Sequence, residues 1–335
     1  MLLDKNKIKK ILCIKPRGIG DIVLSTIILD NLKNYFGDNV KIDYLVENFA
    51  KLSVLNNPLV NKVITMDKKE FPLKAALKIR KEKYDLVFDL WSNPRSAQIT
   101  FLSGIKYRAG FSYRGRRYAY NILATSERGD HHSAEHNLEL LKALDIPIIS
   151  KKVHYFLSKE EKVFASNYFN NNFSNSKVAG IIPAGGWPSK RCDAEKWVEI
   201  CQALKEKFNY KFLILWGPGD EQDAEFINSK MPLDTQLAPK THLNDMAALI
   251  SKCDLILAND SGPMHISAAL GKPTLGIFGP TNPIAHGPYS TKSIFINKGD
   301  LFCIICNFLV CPYNHECMKL LPVDNIIDKV KKIIS

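Results

Sequence analysis

The sequence predicts an α/β protein made of two doubly wound domains that face each other across a cleft. Three observations support this class. Strand-like apolar runs alternate with helix-like amphipathic runs, the alternation restarts after a polar stretch near the middle, and several glycine turns connect a strand to the next helix. Because parallel strands require crossover connections, each half is expected to hold a mainly parallel sheet that binds ligands beyond the carboxyl ends of its strands.

The first domain is predicted over residues 1–165. It begins with a buried strand, a glycine turn and an apolar-periodic helix, and continues as strands separated by helical stretches. The predicted elements are strands at 10–15, 40–46, 60–66 and 84–90 and helices at 22–35 and 72–83.

The second domain is predicted over residues 175–320, after a stretch at 167–176 that is rich in Asn and Ser. Its predicted elements are strands at 177–183, 211–216, 255–258 and 274–278 and helices at 193–208, 221–229, 243–251 and 264–270. A last helix, over residues 321–335, has apolar positions at helical spacing and is expected to cap one of the domains.

The composition is that of a globular protein that buries a large core. Of 335 residues, 46% are hydrophobic and 24% are charged, which excludes a disordered or collagen-like chain. The net charge is +12, and residues 1–150 carry +9 of it, from 25 basic and 16 acidic side chains. This excess indicates an anionic partner, whether a phosphorylated small molecule, an anionic membrane surface or nucleic acid, unless the lysines are simply scattered and solvated.

The eight cysteines fall into two groups. Four stand singly in apolar or helical contexts, where reduced, buried thiols are usual: Cys13, Cys192, Cys201 and Cys253. The other four form a C-x2-C-x4-C-x5-C cluster that also contains His315: Cys303, Cys306, Cys311 and Cys317. Four thiolates at this spacing predict a structural zinc or iron ion, and reduced thiols packed in a short loop are the competing interpretation.

The first glycine turn combines Gly18 and Gly20 with Asp21 at the start of a helix. The glycines allow a ligand to approach the helix N-terminus closely. The dinucleotide fingerprint is incomplete, because no third glycine follows and a carboxylate there repels a pyrophosphate, so a dehydrogenase is disfavoured. Asp21 is therefore either a helix cap or a general base for a hydroxyl group.

Three turns in the second half suit a nucleotide diphosphate. Residues 183–191 place small residues beside Lys190 after a strand, and residues 217–221 place carboxylates where ribose hydroxyls could bind. The most specific segment is 258–274, followed by 278–281, in which a polar turn opens a helix and Ser261 and His265 add donors for phosphate oxygens. An exposed basic turn, a helix cap and a structural histidine are the plainer alternatives.

The spacing of residues 15–21, 185–191 and 259–280 resembles that of the ADP-heptose:lipopolysaccharide heptosyltransferases, glycosyltransferases of the GT-B fold with two Rossmann-like domains. The resemblance implies inverting transfer of a heptose from ADP-heptose to a hydroxyl of the lipopolysaccharide inner core, with Asp21 as the catalytic base. It also implies that the donor-binding residues are Gly185, Gly186, Lys190, Arg191, Glu221, Asp260, Ser261, Gly262, Pro263, Met264 and His265.

The charges of this reaction indicate how the leaving diphosphate is neutralised. No Asp-x-Asp pair that would hold a divalent ion on the donor is present in the sequence. Lys190, Arg191 and helix-terminal amides are therefore expected to stabilise the leaving group, and no cofactor is expected for catalysis.

The acceptor is expected to bind the basic first domain. Four arginines interleaved with aromatic residues are the candidates for an anionic, lipid-linked saccharide: Arg95, Arg108, Arg114 and Arg116. A solvated basic loop is the alternative. With neither a membrane-spanning run nor a signal peptide in the sequence, a cytoplasmic protein in peripheral contact with the inner membrane is expected.

Three other functions remain to be weighed. A transferase for a different nucleotide sugar and a GT-B-type nucleotide-sugar epimerase share the predicted architecture. A nucleic-acid-binding protein would explain the positive charge, but the basic residues are spread over turns and form no compact recognition element, so nucleic acid is not an expected partner.

Overall fold

The computed structural model describes residues 3–127 and 129–334. The chain divides into two compact units, Met1–Phe156 and Leu157–Ser335. Each unit is built on a parallel sheet of six strands with helices between them, which confirms the predicted fold class. No helix in the described ranges combines the length and the apolar character that crossing a bilayer requires.

The sheet of the first unit has the strand order β3-β2-β1-β4-β5-β6. Its strands are β1 Lys10–Ile14, β2 Lys41–Glu47, β3 Lys62–Met66, β4 Leu86–Asp89, β5 Tyr107–Phe111 and β6 Ile122–Ala124. Its helices are α1 Ile19–Ser25, α2 Leu29–Phe36, α3 Pro72–Glu82, α4 Pro94–Ser103, α5 Ser133–His136 and α6 Glu139–Lys142.

The helix predicted at 22–35 is two helices, α1 and α2, joined by a 3-10 turn at Thr26–Ile28. The Ser25 hydroxyl donates to the Ile22 carbonyl, and the Thr26 hydroxyl donates to the Val23 carbonyl, each at 2.7 Å. Hydroxyl groups that bond back to the preceding turn bend helices. The prediction also began the helix too late, because α1 starts at Ile19.

The second unit repeats the same topology, with the order β12-β11-β10-β7-β8-β9. Its strands are β7 Val178–Ile182, β8 Lys211–Ile214, β9 Thr235–Leu237, β10 Leu255–Asn259, β11 Thr274–Phe278 and β12 Ser293–Asn297. Its helices are α7 Lys159–Asn172, α8 Ala194–Phe208, α9 Glu221–Lys230, α10 Leu243–Lys252, α11 Gly262–Ala269, α12 Pro283–His286, α13 Glu316–Lys319 and α14 Val323–Ile334.

Helix α7 occupies much of the segment that the sequence analysis interpreted as a polar boundary. The Ser158 hydroxyl accepts from the Glu161 backbone amide, and the Glu161 carboxylate accepts from the Ser158 amide, which forms a capping box. The helix buries Ala165 in a core that also contains Leu249 of α10. The segment therefore belongs to the second unit, and the chain divides before it.

The C-terminal helix α14 packs back onto the second unit. Ile326, Ile327 and Val330 are buried together with Trp197 of α8 and Leu275 of β11. These positions recur every three or four residues, so one face of α14 covers the edge of the core while its lysines remain in water.

Candidate active site

The candidate residues lie in loops that follow adjacent strands at the carboxyl edges of the two sheets. In the first unit the central strand β1 pairs with β2 and β4, and in the second unit β7 pairs with β8 and β10. In each sheet this central strand marks the point where the strand order reverses. Open α/β sheets bind ligands at this point, because neighbouring loops there diverge and leave a crevice.

Asp21 lies in the first turn of α1, directly after β1. Gly18 precedes the helix with φ +83°, and a Cβ atom at Gly18 would lie 2.3 Å from Oδ2 of Asp21. Any side chain at position 18 would therefore displace the carboxylate. Asp21 is half-buried, and within the described ranges its carboxylate forms no hydrogen bond or ion pair with another side chain. Its carboxylate is thus not engaged in an ion pair.

The turn that leads from β1 into α1 is anchored by Glu47 at the end of β2. The Glu47 amide donates to the Pro16 carbonyl at 2.6 Å, and the Glu47 carboxylate pairs with Arg17 Nε at 3.3 Å and Arg95 Nη1 at 3.2 Å. Glu47 is almost fully buried. The sequence analysis missed Glu47, and a carboxylate closing an apolar strand was the signal that could have identified it.

Arg95 and Arg108, which the sequence analysis predicts to contact the acceptor, have their guanidinium groups bonded within the first unit. The Arg95 guanidinium donates to the carbonyls of Asp67, Lys68 and Glu70 at 2.6–2.7 Å, besides pairing with Glu47. Arg108 donates to the carbonyls of Ala119 and Ile105 at 2.9 and 2.7 Å. Both side chains use their donors to hold loop backbone, because guanidinium forks satisfy several carbonyls at once.

Arg114 and Arg116 line a cavity of about 420 Å³ together with Tyr113, Ser126 and Glu127. Arg114 is exposed, and the Arg116 guanidinium lies 5.9 Å from the centre of the Tyr113 ring. Nε of Arg116 is buried without a hydrogen-bond partner in the described part of the chain. An unpaired buried donor beside an exposed cation suits an anionic ligand.

Asp89 at the end of β4 is a second buried carboxylate that the sequence analysis did not identify. It accepts from the Tyr120 hydroxyl at 2.7 Å and from the Ser92 amide at 2.8 Å. Burial raises its pKa, against the opposing effect of these hydrogen bonds. Asp89 shapes the loop after β4, the strand that neighbours β1.

Lys190 and Asp260 meet in the second unit. Lys190 follows β7 and Asp260 follows β10, and their Nζ and Oδ2 atoms are 2.6 Å apart. The Thr281 hydroxyl donates to the same Asp260 carboxylate at 2.7 Å, and the ammonium group lies 4.3 Å from the centre of the Trp187 ring. The turns after β7, β10 and β11 thus converge on one ion pair.

Ser261 provides an unsatisfied donor beside this pair. It is the N-cap residue of α11, makes no side-chain cap bond, and its hydroxyl is buried without a partner among the described residues. The first amides of a helix also lack partners within the helix. With Gly262 and Pro263 opening the helix, the turn offers donors to an anion.

Met264 and His265 follow in α11 and are both buried. Met264 belongs to the core, where its sulfur would lie 2.9 Å from a Cβ atom on Gly276 of β11. Its side chain packs the helix against the sheet. The prediction that Met264 contributes to donor binding can therefore apply only to its backbone amide.

Arg191 clamps two turns together. It donates to the Gly185 carbonyl at 3.2 Å and the Gly219 carbonyl at 3.0 Å, and it pairs with Asp220 at 2.9 Å. A Cβ atom on Gly185 would lie 2.9 Å from Cγ of Arg191, so the clamp requires glycine there. Arg191 therefore shapes the site, whereas Lys190 is the cation at its centre.

Glu221 and Gly186 remain accessible. Glu221 is exposed in the first turn of α9, and its carboxylate accepts from the Gly219 amide at 2.7 Å. This bond and its own backbone amide lower the pKa of Glu221. No atom lies within 4 Å of a Cβ atom built on Gly186. Both positions border open space beside the Lys190 turn and the Arg191 clamp.

The structure does not show the zinc or iron ion that the spacing of the four clustered cysteines predicts. Among the described residues, no group of three or more His, Cys, Asp or Glu side chains could hold an ion. Cys317 is buried in the core with Met318, and burial raises the pKa of its thiol to about 11. Cys303, Cys306 and Cys311 are half-exposed free thiols, and the four single cysteines are buried as predicted.

The fold and the site define a class of protein, a glycosyltransferase with two α/β units and a cationic, amide-rich turn in the second. The comparisons identify the family. The chain belongs to glycosyltransferase family 9 (heptosyltransferase), whose family model matches residues 73–315. This membership confirms the predicted resemblance.

Relatives support the same assignment over nearly the whole chain. Lipooligosaccharide heptosyltransferase 2 of Campylobacter jejuni is 28% identical, with 95% of this chain and 97% of that protein covered. Two solved structures share the fold. Glycosyl transferase family 9 from Veillonella parvula has a TM-score of 0.86 at 21% identity, with 99% of each chain covered. Escherichia coli ADP-heptose lps heptosyltransferase II has a TM-score of 0.79 at 22% identity, covering 97% of this chain and 98% of that one.

Proposed function

We propose that this heptosyltransferase transfers a heptose from ADP-heptose to a hydroxyl group of the lipopolysaccharide inner core, with inversion at the anomeric carbon. The observation that carries the proposal is the turn at the start of α11, where the buried Ser261 hydroxyl has no partner in the described chain and Lys190 lies against Asp260. An anionic donor group supplies the acceptor atom that the Ser261 hydroxyl lacks, and its charge is shared by Lys190.

In the proposed reaction Asp21 is the general base. It takes the proton of the acceptor hydroxyl as the oxygen forms a bond to the anomeric carbon, and the bond from that carbon to the diphosphate oxygen breaks. Direct attack inverts the anomeric centre, and ADP leaves with the bonding electrons. The half-buried, unpaired carboxylate of Asp21 fits this role, because no ion pair has to break before it accepts a proton.

Lys190 is proposed to stabilise the charge on the leaving diphosphate. In the ligand-free protein its ammonium compensates Asp260, which is mostly buried. The diphosphate then shares this cation, while the Thr281 hydroxyl keeps Asp260 in place. The first amides of α11 supply further positive potential at the same point.

The nucleoside is proposed to lie along the turn after β8, where the exposed Glu221 carboxylate can accept hydrogen bonds from ribose hydroxyls. Arg191 supports this turn through the Gly219 carbonyl and Asp220. Nothing in these contacts selects heptose itself. The competing candidate is therefore transfer of another sugar from the same kind of donor.

The acceptor is proposed to be an anionic lipid-linked saccharide that binds the cavity lined by Arg114 and Arg116. Phosphate and sugar-acid carboxylate groups pair bidentately with guanidinium groups. The aromatic face of Tyr113, in the same cavity, can pack on a sugar ring.

We propose that the protein contacts the cytoplasmic face of the inner membrane, and the proposed lipid-linked acceptor supports this. A basic and apolar surface around α3 is proposed to make this contact. Phe71, Leu73 and Leu77 are 79%, 53% and 47% exposed, and exposed lysines lie between and beside them in the same segment, Lys68, Lys69, Lys74 and Lys78. Apolar side chains interleaved with lysines bind anionic lipid surfaces.

Co-sedimentation with phosphatidylglycerol vesicles tests this surface. Phe71→Ser combined with Leu73→Ser should reduce vesicle binding several-fold and leave activity on a detergent-solubilised acceptor intact. The matched control is Leu233→Ser, because Leu233 is 88% exposed in the second unit. Equal binding by both variants would remove α3 from the proposal.

The experiment that tests the proposed function is a transfer assay with purified protein, ADP-heptose and a heptose-deficient inner-core acceptor, followed by mass spectrometry. A mass increase of one heptose and a product of inverted anomeric configuration are expected. Parallel reactions with UDP-, GDP- and CMP-sugars test the competing candidate. Turnover of one of these in preference to ADP-heptose would replace the proposed donor.

Catalysis is proposed to need no metal ion, since Lys190 and the helix amides supply the positive charge. Transfer should continue at an unchanged rate in excess chelator. Loss of activity in chelator that returns only with Mg²⁺ or Mn²⁺ would contradict this. Elemental analysis of the purified protein separately tests whether the cysteines carry zinc or iron.

A further inference from the structure

The segment between β12 and α13, residues 301–315, carries three of the clustered cysteines and is called the cysteine loop here. It holds Ser189 by all three of that residue's polar groups. The Ser189 amide donates to the Leu309 carbonyl at 3.2 Å, and its hydroxyl donates to the Phe308 carbonyl. Nε2 of His315 lies 2.8 Å from the Ser189 carbonyl oxygen. Ser189 is only 3% exposed, so these bonds replace water.

The cysteine loop also bonds to the turn after β11. The Ile305 amide donates to the Gly279 carbonyl at 3.2 Å, and the Asn307 amide donates to the Pro280 carbonyl at 2.8 Å. Gly279 is required at this contact, because a Cβ atom there would lie 2.6 Å from the sulfur of Cys317, two residues past the loop. The loop thus fixes a second turn through backbone bonds.

These two turns carry the two partners of Asp260. Lys190 directly follows Ser189, and Thr281 directly follows Pro280. Both contact the Asp260 carboxylate, at 2.6 and 2.7 Å. One loop therefore anchors the backbone on both sides of the Lys190–Asp260–Thr281 cluster.

His315 has a defined part in this anchoring. A carbonyl oxygen only accepts hydrogen bonds, so Nε2 of His315 must carry the proton and donate it to Ser189. Nδ1 faces Oδ1 of Asp193 at 3.4 Å, immediately before α8. The hydrogen bond from Nε2 therefore connects His315 to Ser189, the residue directly before Lys190.

We propose that the cysteine loop positions Lys190 for the donor diphosphate and that His315 is the positioning residue through which it does so. The inference rests on the proposed role of Lys190 in donor binding. Without the bond from His315, the buried Ser189 carbonyl lacks a partner and the turn relaxes toward water. The ammonium group then loses the fixed position in which it best stabilises a leaving diphosphate, since small displacements of a charged group reduce its effect strongly.

The test uses the full chain with three substitutions at one position. His315→Ala should raise the dissociation constant for ADP, measured by calorimetry, and the Michaelis constant for the donor by about tenfold, the size of one lost buried hydrogen bond. The Michaelis constant for the acceptor should not change. If the substitution only reduced the amount of folded protein, the maximal rate would fall. The Michaelis constants for the donor and for the acceptor would then both stay unchanged.

The conservative variants separate the Ser189 bond from other effects. His315→Gln places an amide nitrogen near the position of Nε2 and should return the ADP dissociation constant to within about twofold of the wild-type value. His315→Asn suits the left-handed backbone of this residue, φ +61°, but reaches only toward Asp193, and it should remain as weak as His315→Ala. Lys319→Ala in α13, whose side chain bonds to Asn314 at 3.2 Å, is the control and should bind ADP normally.

Several outcomes would overturn the inference. The bond to Ser189 would have no effect on ADP binding if His315→Ala kept wild-type ADP affinity. The same conclusion would follow if the Gln and Asn variants recovered ADP affinity equally. If His315→Ala does not fold, Ser189→Ala removes only the bond to Phe308, and a wild-type ADP constant would then count against the loop. Lys190→Met distinguishes the two proposals. If Lys190→Met weakens ADP binding and the His315 variants do not, only the inference about the cysteine loop fails. If Lys190→Met also keeps wild-type ADP affinity, the proposed donor site fails as well.

Discussion

The two units share one strand order, but their loops at the carboxyl edges are held differently. In the second unit the cation and the carboxylate of the candidate site are already paired, with Lys190 2.6 Å from Asp260. In the first unit the Asp21 carboxylate has no partner among the described residues, and the nearby ion pairs surround Glu47 instead. A site for a diphosphate can be assembled before the ligand arrives, whereas a base has to stay unpaired to accept a proton.

We expect the largest effect at Asp21, the unpaired carboxylate of the first unit. Asp21→Asn removes the proposed base without changing shape, so kcat should fall by about 10²–10⁴-fold. The melting temperature and the ADP dissociation constant should stay at wild-type values, because the carboxylate holds no other group. Steady-state kinetics measure kcat, and calorimetry measures the melting temperature and the ADP dissociation constant.

Asp38→Asn, at an exposed loop position after α2, is the matched control for Asp21→Asn and should have full activity. A fully active Asp21→Asn variant would exclude Asp21 as the base. A variant that unfolds would show that Asp21 is structural, in the way that Glu47 is.

The Lys190–Asp260 pair of the second unit predicts an effect on both ADP affinity and stability. Lys190→Met should weaken ADP binding by about 10–100-fold, and it should also reduce stability by about 1–3 kcal/mol because Asp260 is left buried without its cation. The double variant with Asp260→Asn should regain the stability but not the ADP affinity. Urea denaturation and calorimetry on the same samples separate the two roles.

A different pattern would contradict a preassembled ion pair. If Lys190→Met is as stable as the wild type, water already compensates Asp260. If the double variant binds ADP normally, the cation is needed only to neutralise Asp260 and not to hold the diphosphate.

The arginines of the first unit give a third contrast, between structural and binding roles. Arg95→Ala frees three backbone carbonyls and Glu47, so it should lower the free energy of unfolding by about 2–4 kcal/mol. Arg114→Glu changes an exposed residue of the cavity near Tyr113. It should keep wild-type stability but raise the Michaelis constant for the acceptor about five- to tenfold, with donor binding unchanged. An unchanged acceptor constant would remove the cavity from the proposal.

The sequence predicted the fold well because apolar strands alternate with amphipathic helices. It pointed to the proposed donor turns because glycine, lysine and serine follow strands there. It could not assign the arginines, since a basic residue in a loop has the same pattern whether its donors meet backbone carbonyls, as in Arg95, or solvent, as in Arg114. The cysteine spacing also could not show that Cys317 is buried in the core, because that burial depends on tertiary packing.

The smallest effect concerns a carboxylate at the opposite, amino edge of the first sheet. Glu82 pairs with Lys10 at 2.7 Å and with Lys62 at 2.5 Å, and the hydrogen bonds from these lysines lower its pKa to about 2. Because the folded-state pKa lies below the unfolded value, this carboxylate stabilises the fold fully above about pH 4.5 and loses that contribution as the pH falls toward 2. Glu82→Gln should therefore cost about 1 kcal/mol at pH 7 and progressively less below pH 4.5. Urea denaturation at several pH values checks this against Glu206→Gln, an exposed position in α8, and a difference that does not shrink in acid would show that the side chain acts by packing and not by charge.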